Sequence, residues 1–322
     1  MKQKFQHICL ILPILIFGLL PLSSYGQNGP EVDPREAVFT KVNDYKSRIV
    51  GDEDSVIVED ASGFSVKDTV LFFQSIGGLP NDKGEIPNFF YTGKYGIMKI
   101  QEINGNIIVF NSTLPSMASN PRQPGEIAQL VKIPVYKKAR ITENFANDSA
   151  YWEWNSATKT GGVFPLIVGR LTLETDFSAN GQGFKGGVPD GEYGGLCSAA
   201  SGDTIYSSVG MFTDAADSSG RKGESYDKEG YIFTKGFENV GSGGGGGNGK
   251  YAGGGGGANS GYGANGGFES ESCSPAQDIG GKRGEGFGYS NSSGDFSFNR
   301  IFLGGGGGTG TQNPSLNRFA TP

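Results

Sequence analysis

The chain has 322 residues, 27 of them basic and 33 acidic, with 56 glycines and a single histidine, His7. His7 and two lysines lie in an N-terminal segment read here as removable. The mature chain then carries no imidazole and a net charge of −8, from 25 basic and 33 acidic residues. That excludes Ser-His-Asp and Cys-His catalysis, histidine metal sites and histidine pH switches. It also argues against a nucleic-acid partner, because no basic cluster is larger than Lys137-Lys138 with Arg140 and phosphate tracking needs a basic face.

Residues 1–26 read as a secretory signal peptide: Lys2 and Lys4 precede an apolar run from Ile8 to Leu20, and Ser24-Tyr25-Gly26 ends on a small residue. The run is too short for a bilayer-spanning helix, which needs about 20 apolar residues, and it contains Pro13. Cleavage near Gly26 is expected, giving a secreted or outer-surface protein with no transmembrane helix.

Residues 27–47 form a polar lead-in. Asp33-Pro34, an N-cap followed by a proline at the first helical position, precedes Ala37, Val38 and Val42 at helical spacing and predicts one short helix. Residues 48–137 alternate β-prone runs with turn residues, and strands are predicted at 55–58, 69–73, 96–103, 106–110 and 128–136. Ile103-Asn104-Gly105-Asn106 predicts a hairpin, since Asn-Gly accepts the positive φ of a two-residue turn. This segment is expected to be a small β-barrel or sandwich with its own core. Residues 138–240 are a further β-rich segment. Within it, the stretch from Leu166 to Leu173 shifts phase at Gly169, as two strands or one bulged strand would.

Residues 241–322 form the glycine-rich domain. Of the 56 glycines, 28 fall between 241 and 310. Three uninterrupted pentads begin at Gly243, Gly253 and Gly304 and end at Gly247, Gly257 and Gly308. Ordering a glycine loses about 0.5–1 kcal/mol more than ordering an alanine. One reading is therefore flexible linker. The other is a bundle of polyproline II rods whose N–H groups bond the C=O groups of neighbouring rods. Interleaved Tyr251, Tyr262, Phe268, Phe287, Tyr289, Phe296, Phe298, Ile301 and Phe302 favour the second, because disordered segments are poor in aromatics. The expected fold class is all-β: a small barrel or sandwich, a β segment, then a polyglycine-II-type bundle.

Cys9 lies in the signal peptide, which leaves Cys197 and Cys273. Two thiols in an oxidising compartment suggest one disulfide between them, worth roughly 4 kcal/mol in the chain-entropy model. Two unpaired small core residues are the alternative.

Several segments, in order, resemble the N-terminal regions of secreted surface proteins of Bacteroidota associated with gliding motility and type IX secretion. They are Gly63-Phe64 with Asp68 to Leu71, Gln129 to Pro134, Trp154-Asn155 followed by Gly161-Gly162-Val163, and Gly183 to Gly187, then the paired pentads and Phe302-Leu303 with the last pentad. The pentads also look like the glycine-rich domain of the anaplastic lymphoma kinase ectodomain. The resemblance implies an adhesin-like surface protein and brings no catalytic residue with it. Family members run on into further domains and a C-terminal sorting domain, so this chain is expected to be a fragment or a short secreted product.

The leading functional expectation is a cell-surface or matrix protein that binds polysaccharide or another surface protein. No catalytic, cofactor-binding or metal-ligating residue is assigned. The alternative is a carboxylate-based, glycan-active enzyme, which needs two acids about 5–10 Å apart. Asp190, Glu192, Asp214 and Asp217 are available for that role. A spacer with no ligand of its own is the third possibility.

Overall fold

The computed structural model describes residues 29–46, 54–80, 86, 89–114, 125–147, 149–176, 178–189, 219–227, 235–273, 278, 280–286 and 300–311. Six antiparallel strands close into a barrel: β1 (Phe39–Lys46), β2 (Ser55–Val58), β3 (Thr69–Ile76), β4 (Tyr95–Asn104), β5 (Ile107–Phe110) and β6 (Ile127–Lys132). Their order around it is β1-β2-β5-β4-β3-β6. Register shifts in the β1/β2, β4/β5 and β3/β6 pairs let the short strands coil. Val42, Val56, Val58, Val70, Phe72, Met98, Ile100, Ile108, Phe110 and Leu130 fill the interior.

The strand β1 occupies the segment read as lead-in and helix. Asp33 does cap a turn, with its side chain accepting the Arg35 N–H, but that turn is a three-residue 3-10 helix, Pro34–Glu36. Val42 then pairs with Val58 on one side and Ala128 on the other. Without β1 the barrel would be left with two unpaired edges.

The hairpin forms where Asn-Gly predicts it, one residue further on. Asn104 pairs with Ile107, so Gly105 and Asn106 make the loop, with Gly105 at φ 59°. The run read as one strand from Ala128 to Tyr136 is two strands, β6 and β7 (Val135–Ile141). The break falls at Pro134, which has no N–H to give to a ladder.

β7 pairs in parallel with β8 (Ile167–Leu173) without a register shift, so the 166–173 stretch holds one regular strand. Gly169 is present because backbone passes close by: a Cβ there would lie 2.7 Å from Lys137 O. Residues 30–32 extend the ribbon along the other edge of β7, where Val32 N–H donates to Arg140 O and Arg140 N–H to Pro30 O, each at 3.0 Å. The crossover from β7 to β8 carries a short helix, α1 (Glu143–Asn147), and the Trp152/Trp154 loop. Phe145 packs edge-on to Phe164 under the ribbon.

Burial shows which wall of the barrel is covered. β4 alternates exposed and buried residues, as a strand with one wet face must. β3 and β6 are buried on both faces. Their outward residues Leu71, Phe73, Ile127 and Val131 form a second core with Trp154, Phe184, Tyr226, Val240 and Leu303, which joins barrel and glycine-rich region. Among the described residues no helix is long and apolar enough to cross a membrane.

Candidate functional site

The glycine-rich region is a bundle of extended rods with a three-residue repeat. The N–H groups of Gly244 and Gly247 donate to Gly306 O and Thr309 O, at 2.9 and 2.8 Å. Those of Gly305, Gly308 and Thr311 donate to Ala258, Gly255 and Ala252, running in the opposite sense. Gly281 and Gly284 donate to Gly253 and Gly256. Every third residue of a rod thus addresses the same neighbour, the pattern of a helix with three residues per turn. The bonds also supply the partners that buried backbone requires. This is the rod arrangement and not the flexible linker.

Close approach explains the composition. A Cβ on Gly245 would lie 1.9 Å from Phe237 O, and one on Gly306 would lie 1.8 Å from Lys185 O. The bundle also begins before residue 241. Phe184 and Gly187 donate to Gly304 and Gly307, and Gly220 and Gly223 donate to Gly247 and Gly244, so the stretches around 183–187 and 220–226 are rods as well.

Segments far apart in the chain meet at the seam between barrel and bundle. Trp154 packs edge-on to Phe184 with ring centroids 5.0 Å apart. Gly162 makes room for Leu303, whose Cδ1 would lie 2.7 Å from an added Cβ. Glu224 holds this seam. Its Oε2 accepts hydrogen bonds from Trp154 Nε1 at 2.9 Å, Ser156 Oγ at 2.7 Å and Lys185 N–H at 3.1 Å, and Lys159 Nζ lies 3.9 Å from its Oε1. The Lys185 ammonium is paired with Glu153. These contacts fasten the barrel to the bundle.

Beside the seam, Lys222 is buried and its Nζ has no hydrogen-bond partner among the described residues. Desolvation pushes its pKa down to about 8, against the pull of Glu238 and Asp227. Asp227 is pushed up to about 6, again first by desolvation. Nothing in the sequence around Lys222 distinguishes it from a solvated lysine.

The outward face of the bundle carries aromatic rings. Tyr251, Tyr262 and Phe268 are 42%, 53% and 64% exposed. By the three-residue repeat, Tyr262, Asn265 and Phe268 line up on one side of their rod, and Tyr262 and Phe268 are about 19 Å apart at ~3.1 Å per residue. The Arg283 guanidinium covers one face of the Tyr262 ring at 4.6 Å, and Lys250 Nζ lies 5.7 Å from that of Tyr251. Tyr251 has φ 62°, a conformation uncommon for a bulky residue. Ile301 and Phe302 instead turn inward against the seam. Phe287, Tyr289, Phe296 and Phe298 lie outside the described residues.

Cys273 is buried and disulfide-bonded. Its partner lies outside the described residues, as Cys197 does. Asp190, Glu192, Asp214 and Asp217, the acids considered for glycan hydrolysis, also lie outside them.

No family model matches the chain, and no curated protein matches it. Among solved structures it has similarity to the tailspike Gp54 of Acinetobacter baumannii bacteriophage AP22, in complex with A. baumannii capsular saccharide, at 18% identity and a TM-score of 0.20. That match covers 43% of this chain and 22% of the tailspike. It is also similar to the tailspike protein gp49 from Pseudomonas phage LKA1, at 14% identity and a TM-score of 0.20, covering 44% of this chain and 22% of that one. The matched region spans about a fifth of the length of each tailspike, and TM-scores of this size carry no assignment.

Proposed function

We propose that this chain is an adhesin-like binding module of an exported cell-surface or matrix protein, and that it engages polysaccharide through the outer face of its glycine bundle. The observation that carries this reading is the exposed line of Tyr262 and Phe268 on a rod whose backbone is hydrogen-bonded on its inner sides. Rings held on a rigid backbone offer apolar faces with little loss of conformational freedom on binding. The signal-peptide pattern at 1–26 and the resemblance to secreted Bacteroidota surface proteins support the location.

The experiment is a binding screen of the secreted chain against immobilised polysaccharides and whole cells, beside the variant Tyr262→Ala with Phe268→Ala. The expected result is retention of the parent chain and at least a tenfold loss in the variant, with an unchanged melting curve. Equal retention of both proteins, or none of either, would reject the reading. Fractionation with external protease on intact cells checks the location separately.

A further inference from the structure

The ribbon of β7 and β8 ends on an open edge. β8 pairs with β7 and with no other strand among the described residues. Ile167, Leu171 and Leu173 on it are exposed, Leu173 to 61%, and so is Thr172. Proteins guard such edges with proline, lysine or a bulge that turns the strand away. β8 has no proline and no lysine, and its pairing with β7 runs without a register shift.

The ladder sets the direction of the free backbone groups. Glu174 N–H continues the pairing inward, to Ile141 O at 2.9 Å. Backbone groups alternate sides along a strand, so the N–H and C=O groups of Leu171 and Leu173 point to the open edge. Neither residue bonds to any segment other than β7 among the described residues. Their side chains share the face of Ala139 and Ile141, with which they are paired. Those two are buried in one cluster with Phe145, so the apolar layer stops unfinished at β8.

Arg170-Leu171-Thr172-Leu173-Glu174 reads as its own complement. Laid antiparallel against a second copy with Thr172 on the two-fold axis, Leu171 of each chain stands opposite Leu173 of the other. Arg170 stands opposite Glu174, and Thr172 meets Thr172. All are favourable cross-strand pairs. Leu171 and Leu173 become a hydrogen-bonded pair and Thr172 a closer, non-hydrogen-bonded one, the alternation that an antiparallel ladder requires. Moving the axis to Arg170 sets two guanidinium groups against each other, and moving it to Leu171 puts Leu173 opposite Gly169. Arg170 has a further contact within its own chain and Glu174 holds Arg140 at 3.1 Å. The pair therefore enters as opposite charge across the strands and not as a new bond.

We propose that β8 is the contact of a homodimer in which two chains join edge to edge about a two-fold axis at Thr172. The sheet then runs from β7 and β8 of one chain into β8 and β7 of the other, and the leucines of both copies finish the layer begun by Ala139 and Ile141. The complement of these five residues is their own sequence, in charge as well as in apolar pattern, which selects a second copy over an unrelated strand. An edge contact of this length buries less than about 1,200 Å², so the dimer is concentration-dependent. It shares no residue with the exposed ring face of the bundle and does not depend on it.

The test is sedimentation velocity of the secreted chain from about 1 to 300 μM, the range of weak association. The parent chain should pass from monomer to dimer over that range. Thr172→Lys sets two like charges at the axis and should raise the dimer Kd at least about tenfold. Thr172 is exposed, so its melting curve should not move. Leu171→Lys with Leu173→Lys should also be monomeric. Leu171→Lys with Leu173→Glu should dimerise, because the Thr172 register sets the introduced charges opposite in sign. A parent chain that stays monomeric overturns the proposal, as does a dimer that Thr172→Lys leaves intact. Equal behaviour of the two double variants overturns the register, and with it the argument for a second copy.

Discussion

Gln129 and Gly161 exchange two hydrogen bonds: Gln129 Nε2 donates to Gly161 O at 3.0 Å, and Gly161 N–H donates to Gln129 Oε1 at 2.9 Å. The side-chain amide thus stands in for a neighbouring strand, fastening the Trp152/Trp154 loop to β6. Gln129 is fully buried, and Gly161 has φ 93° with Glu153 O where a Cβ would be.

Replacing Gln129 with leucine keeps the volume but strips two buried backbone groups of their partners. Each costs about 1–3 kcal/mol, so Gln129→Leu should destabilise the chain by about 2–6 kcal/mol. Urea denaturation followed by tryptophan fluorescence reads this directly, because Trp152 and Trp154 sit on the released loop. A change below about 0.5 kcal/mol would mean that water takes over both partners.

Neighbouring glycines of the last pentad should respond in opposite ways. At Gly306 an added methyl meets Lys185 O, whereas at Gly307 the nearest atom would be 3.6 Å away, an ordinary contact. Gly306→Ala is expected to cost more than about 3 kcal/mol, since the obstacle is backbone held by other rods. Gly307→Ala should be neutral, or stabilising by up to about 1 kcal/mol through the unfolded chain. Thermal melts of the two variants make the comparison, and equal effects would count against a close-packed bundle.

Stability should dip near neutral pH. Asp227 binds its proton more tightly in the folded chain, at about 6 against 3.8, so its contribution is complete below pH 3.8 and is lost as pH rises through about 6. Lys222 binds its proton less tightly, at about 8 against 10.5, so its contribution is complete above pH 10.5 and is lost as pH falls through about 8. Lys222→Met combined with Asp227→Asn should flatten the melting temperature between pH 5 and 9, and should raise stability at pH 7 by about 1–3 kcal/mol. A loss at pH 7 would show that attraction between the two groups outweighs their desolvation.

Lys67→Gly should stabilise the chain by about 0.5–1 kcal/mol, the left-handed strain less glycine's larger unfolded-state entropy. A rise in melting temperature would show that the left-handed turn at Lys67, with φ 75°, strains this residue. A fall would show that the lysine stem contributes packing.

Local chemistry is what the sequence determined. Alternating apolar residues give β2, β4 and β5, the Asn104-Gly105-Asn106 stretch brings the chain round between β4 and β5 with Gly105-Asn106 as the loop, and aromatics among glycines favour rods over linker. All three depend on a few adjacent residues. Choices between distant partners belong to the tertiary structure. Val42 has the spacing of a helix and of a strand alike, and it becomes a strand residue because β2 and β6 offer two open ladders. The apolar outer faces of β3 and β6 do not say what covers them; Phe184, Tyr226 and Leu303 do, from more than 50 residues downstream. The hollow between the Pro34–Glu36 turn and the ends of β3 and β6 could not be read along the chain either. Arg35, Lys67 and Lys132 are ordinary surface charges in sequence, and they share a hollow only because β1 follows the Pro34–Glu36 turn into a barrel closed by β6.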